Sequence, residues 1–100
     1  MQTSFTDRGD AALGVALQSD GRIVAAGVSS SQLNSNFAVA RYESDGDLDT
    51  TFNVDGKLTI DFFGSTDIAE NVAIQANGKI VLGGLARNFV DGYGVARVIP

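Results

Sequence analysis

One hundred residues allow one domain with one modest core, and 44% hydrophobic with 19% charged residues is the balance of a globular chain. A net charge of −5, with the acids spread along the chain, argues against a nucleic-acid or anionic-membrane partner, since both need clustered Lys and Arg. Cysteine and histidine are both absent, which excludes disulfides, thiol chemistry, Ser-His-Asp and Cys-His catalysis, and the commonest transition-metal ligand.

In chain order the residues predict strands and turns. Met1 to Asp10 is polar and shows no charged-then-apolar signal pattern, and no apolar run approaches the roughly 20 residues of a spanning helix, so location stays open. Leu13, Val15 and Leu17 alternate with small or polar residues and predict a first strand. Asp20-Gly21 then stands between two apolar runs, the strongest short hairpin signal, with positive φ expected at both turn residues. Ile23 to Val28 is nearly continuous in apolar residues, so that strand must be covered on both sides. Ser29 to Asn36 predicts a loop. Phe37 to Tyr42 predicts a third strand with Phe37 and Val39 on one face and Ala38 and Ala40 on the other. Residues 44–56 form a polar connection tacked to the core by Leu48 and Phe52, and Leu58 to Phe62 alternates as a fourth strand.

The same order then recurs. Val15 to Gly27 aligns with Val72 to Gly84 at an offset of 57, with 7 of 13 positions identical. Asn77-Gly78 repeats the hairpin signal, Ile80 to Leu85 the second strand, and Tyr93 to Ile99 the third, now at an offset of 56, and the paired residues Phe37/Tyr93 and Ile23/Ile80 are expected in the buried blade core. Phe5, Asp10 and Ala12 match Phe62, Asp67 and Ala69. Two repeats, about 1–43 and 57–99, are therefore joined by the connection 44–56. No stretch keeps a 3.6-residue period beyond two turns, and helix is not expected. The expected fold is all-β: two four-stranded antiparallel β-propeller blades per chain, a large face stacking on a small one, with the ring closed by homo-oligomerisation.

Closure is expected because two blades leave two faces of roughly 300–350 Å² each to water, for strands about 4.8 Å apart. Known propellers hold about four to eight blades, so the small Ala/Gly faces favour a trimer of six blades, with a tetramer as the alternative. Met1 to Phe5 aligns with Leu58 to Phe62 and would complete the second blade of a neighbouring subunit.

The string A-x-x-V-A-[LI]-Q-x-[DN]-G-[RK]-I-V-x-x-G occurs in both copies, Val15-Ala16-Leu17-Gln18 being its centre in the first. With [FY]-x-V-A-R after it and Leu48-Asp49-Thr50-Thr51-Phe52 once, the chain resembles the delta-60 repeat family. Nearly the whole chain is covered. The resemblance implies a propeller fold, a large bacterial protein of the exterior or envelope, and no settled activity. Asn53-Val54 departs from the pattern, which usually has a Gly-containing step after that Phe.

Candidate sites are few. Asp45, Asp47 and Asp49 form a D-x-D-x-D string, but Thr50 and Gly56 stand where an EF-hand needs Gly and Glu, so a solvated acidic turn is preferred over Ca²⁺ binding. Asp10 and Asp67 recur at the mouth of the first strand, where a ring of carboxylates could hold a cation; accepting turn N–H groups is the preferred role. Arg41 and Arg97 lie in apolar strands and need an acid, for which Asp61, Glu70 and Asp67 are considered. The loop 86–92 differs most between copies, making Arg87 and Phe89 candidates for partner contact, with an unidentified protein or glycan as ligand. No cofactor and no catalytic residue is assigned. The expected function is a non-catalytic structural or interaction module; a carboxylate-based glycoside hydrolase (Asp10/Glu70 or Asp67/Glu70) and a cation-binding pore are the rivals.

Overall fold

The computed structural model describes residues 9–30, 35–60, 66–88 and 90–99. Among the described residues seven strands follow one another: β1 (Gly9–Leu17), β2 (Ile23–Ser30), β3 (Ser35–Tyr42), β4 (Lys57–Ile60), β5 (Thr66–Ile74), β6 (Ile80–Asn88) and β7 (Val90–Val98). No helix occurs among the described residues. The strands form two antiparallel units, β1-β2-β3-β4 and β5-β6-β7, linked among the described residues by a parallel bridge between Ser35 and Thr66. The expected strands Met1–Phe5 and the end of Leu58–Phe62 lie outside the described residues.

Pairing in the second sheet reproduces that of the first. Leu17 pairs with Ile23 and Ile74 with Ile80; the register shifts between Ala12 and Gly14, and again between Ala69 and Asn71. At that bulge β1 crowds β2. A Cβ on Gly27 would run into the Ala11 carbonyl, and one on Gly84 into that of Ile68, so only glycine permits the approach.

The hairpin turns differ from the expected two-residue form. Gly21 N–H donates to the Gln18 carbonyl at 3.0 Å, and Gly78 N–H to that of Gln75 at 2.9 Å. Among the turn residues only Gly21 (φ 92°) and Gly78 (φ 85°) take positive φ. Asp20 instead turns its carboxylate onto the Arg22 N–H, 3.0 Å away, and Asn77 does the same to Lys79 at 3.1 Å. The longer turn uses Asx hydrogen bonding in place of a second left-handed residue. The expected loops are also shorter than their composition suggested. β2 runs through Ser30 and β3 begins at Ser35, while β6 reaches Asn88, paired with Val90 at the start of β7. Ladder hydrogen bonding there overrides the polar side chains.

The core forms where the two sheets meet. One face of the first sheet carries Val24 and Arg41, Ala26 and Val39, and Phe37 opposite Val28, with Leu58 and Ile60 from β4. Against it lie Ile80 and Leu82 of β6, flanked by Val72, Ile74 and Val98, in one cluster with Phe52. β5 packs across β1, β2 and β3. Phe37, Val39, Ile80 and Leu82 are wholly buried.

Two residues expected in this core are not sealed. Tyr93, the counterpart of Phe37, is 96% exposed, and Ile23, the counterpart of Ile80, is half-buried. Each belongs to the face of its sheet turned away from the other sheet, where Val15, Leu17 and Val95 also stand exposed.

Candidate functional site

Segment 44–56 is built as a clasp on β3. Asp45 accepts the Asp47 N–H at 3.0 Å, and Asp55 accepts the Lys57 N–H at 3.0 Å, so each closes a local turn. The Asp49 N–H donates to the Arg41 carbonyl (2.9 Å), and the Arg41 N–H to the Gly56 carbonyl (3.0 Å). The backbone on both sides of Phe52 is thus tied to the edge of β3. Phe52 drops into the core, nearly fully buried, and the Arg41 guanidinium lies 5.0 Å from its ring centroid.

Asp49 overturns the expectation of a solvated turn. It is 1% exposed, and its Oδ2 accepts from Arg41 Nε and Arg22 Nε, each at 2.8 Å. Its Oδ1 accepts the Thr51 N–H at 3.0 Å and the Thr51 hydroxyl at 2.5 Å. The Thr51 hydroxyl does most to hold the Asp49 carboxyl below the usual range; burial opposes, and the Thr51 N–H, Arg41 and Arg22 add to the lowering. The acid sought for Arg41 is therefore Asp49, eight residues on, and not Asp61, Glu70 or Asp67. Asp61 lies outside the described residues. Arg22 was not singled out from the sequence, although a basic residue recurs there as Lys79.

The remaining candidates do not converge. Asp45 and Asp47 are exposed while Asp49 points inward, and no group of three acids among the described residues is placed to hold a metal ion. Asp67 is fully buried at the start of β5, whereas Glu70 is exposed beside the β5 bulge. Glu70 lines a cavity of about 260 Å³ with Gly84, Leu85, Gly92 and Tyr93, none of which is a second acid. Asp10 pairs with Ser29 through its backbone, and Arg87 with Asp91; the side chains of Asp10 and Arg87, and all of Phe89, lie outside what is described. Arg97 is exposed at the position Arg41 holds in the first sheet.

The widest feature is a pair of open faces. On the first sheet Leu13, Val15 and Leu17 are 52%, 68% and 72% exposed, with Ile23 half-buried beside them. On the second, Tyr93 and Val95 stand open, 96% and 69% exposed, with Leu85 half-buried. These are the two faces that the stacking inside the chain does not use.

No curated protein and no solved structure shows significant similarity to the chain. Residues 18–52, from the first hairpin turn to the buried Phe52, match the family model described as a beta-propeller domain of unknown function (DUF5122), and this supports a propeller-repeat family.

Proposed function

We propose that the protein is a non-catalytic assembly module whose two blades join those of further copies, head to tail, into a closed propeller that presents its loops to a partner. One observation carries this reading. Each open face is the repeat counterpart of a face already buried inside the chain. Val15, Leu17 and Ile23 correspond to Val72, Ile74 and Ile80, which pack on the first blade, while Tyr93 and Val95 correspond to Phe37 and Val39, which receive them. A second copy can thus repeat the existing contact, and a head-to-tail contact of this kind closes into a ring when its rotation allows. Three copies give six blades, within the range of about four to eight that propellers use.

Light scattering tests the reading. A particle of about 31 kDa, three times the 10.4 kDa chain, is expected. A stable, monodisperse single chain would overturn it. Val15→Asp and Tyr93→Asp each spoil one of the two faces and should each break the ring. Mixed together, the two variants retain one intact pair of faces and should form a two-chain particle; failure to do so would count against head-to-tail assembly.

A further inference from the structure

The two hairpin turns follow one hydrogen-bond plan. The Gln18 N–H donates to the Arg22 carbonyl and the Gln75 N–H to the Lys79 carbonyl, both at 2.8 Å. Gly21 and Gly78 donate to the carbonyls of the same two glutamines at 3.0 and 2.9 Å. A third bond runs from the Arg22 or Lys79 N–H to a side-chain oxygen of Asp20 or Asn77, at 3.0 and 3.1 Å. At that side chain the turns part, for the first blade has a carboxylate and the second an amide. Asn77 is exposed, and it alone among the chain's asparagines precedes a glycine. A Cβ added to Gly78 would meet nothing within 4 Å. The space beside residue 78 is thus open, with no side chain to hinder a reaction between its nitrogen and the Asn77 amide.

We infer that Asn77-Gly78 is a deamidation site, at which solvent water converts the asparagine to aspartate, and that the second blade accepts the product because the first blade already carries it. The Gly78 nitrogen gives up its proton and bonds to the Asn77 Cγ; the bond from Cγ to Nδ2 breaks, and ammonia leaves with that proton. Water then opens the cyclic imide at either carbonyl. One opening gives aspartate, the other isoaspartate, whose chain runs on through Cβ. The turn sets the rate. The Gly78 N–H is held by Gln75 and the Asn77 Oδ1 by Lys79, so both bonds must part before the nitrogen meets Cγ. At the end of an exposed hairpin such opening costs little. The turn also distinguishes the products. Aspartate keeps an oxygen for the Lys79 N–H and puts a carboxylate beside Lys79, as Asp20 stands beside Arg22 with Oδ2 2.7 Å from Nη1. Isoaspartate lengthens the backbone inside the turn and disturbs the bond that joins Gly78 to Gln75.

The test is ageing of the full chain in neutral buffer, folded and in urea, followed by peptide mass spectrometry. The mass gained when an amide becomes an acid marks each converted asparagine, and synthetic peptides identify aspartate and isoaspartate by chromatography. In urea, conversion at Asn77 should outrun that at Asn53 and Asn88 by about tenfold or more, because Val54 and Phe89 carry side chains that hinder ring closure. In the folded chain it should run about ten- to a hundredfold slower than in urea, the protection given by a turn that opens locally. Asn77→Asp, the product made directly, should melt no lower than the parent. Conversion at Asn77 no faster than at Asn53, equal rates in folded and unfolded chains, or a lower melting temperature for Asn77→Asp would each overturn the inference.

Discussion

Arg41 and Asp49 meet at 2.8 Å through Nε and Oδ2, and both are almost wholly buried. A lone carboxylate in that place would be costly, so the pair is viable only because Thr51 and Arg22 satisfy the remaining oxygen positions. Asp49→Ala would leave the Arg41 guanidinium buried with no acid and untie the segment that seats Phe52. A loss of about 3–5 kcal/mol is expected, the usual result of removing one member of a buried pair. Urea denaturation measures it, and a loss under about 1 kcal/mol would show that the clasp contributes little.

The same carboxylate gives the fold an acid-sensitive step. Its pKa is lowered from 3.8 in the folded chain, led by the Thr51 hydroxyl. The folded state therefore binds fewer protons than the unfolded state in this range, and the stabilisation is complete above about 3.8 and fades as pH falls through the lower, folded value. Between about pH 6 and pH 3 the wild-type urea midpoint should fall further than that of Asp49→Asn, which has no proton to take up there. Equal falls would place the acid sensitivity in other carboxylates.

Much of this architecture was legible because repetition is visible without structure. The places of the Asp20-Gly21 and Asn77-Gly78 turns between strands, though not their two-residue form, the strand at Leu13–Leu17 and the Phe37/Val39 against Ala38/Ala40 division all appear in the fold. The clasp was less legible. Asp49 sits in an acidic string that reads as solvated, and only the fold of segment 44–56 turns it away from Asp45 and Asp47 and toward Arg41. Exposure of Tyr93 was also unreadable, since its sequence context matches that of Phe37; the difference lies in which face of each sheet the other sheet covers.

Val54 sits at φ 72°, is β-branched and is 87% exposed. Left-handed backbone crowds a branched Cβ, and no packing by the exposed side chain offsets it. Val54→Gly should therefore stabilise by about 1 kcal/mol after the entropy glycine adds to the unfolded chain, raising the melting temperature by about 4 °C or more. A drop in melting temperature on substitution would mean that Val54 contributes through contacts its exposure does not suggest.

Ile23 and Ile80 hold the same place in the two blades, each at the start of the second strand and paired with the end of the first. Ile80 is buried at 0% exposure, beneath the face of the first blade, while Ile23 is half-covered because its counterpart face is open. Ile80→Ala should destabilise by about 2–5 kcal/mol whatever the protein concentration, since its contacts are within the chain. Ile23→Ala should cost less when the chain is dilute and single. As the concentration rises and copies stack on that face, its cost should climb toward that of Ile80→Ala, because stability gained from association follows mass action. Unfolding both variants by urea across a hundredfold range of concentration separates the cases. A cost for Ile23→Ala that stays low and flat while the wild type assembles would place the contact between copies elsewhere than on the face of Val15 and Leu17.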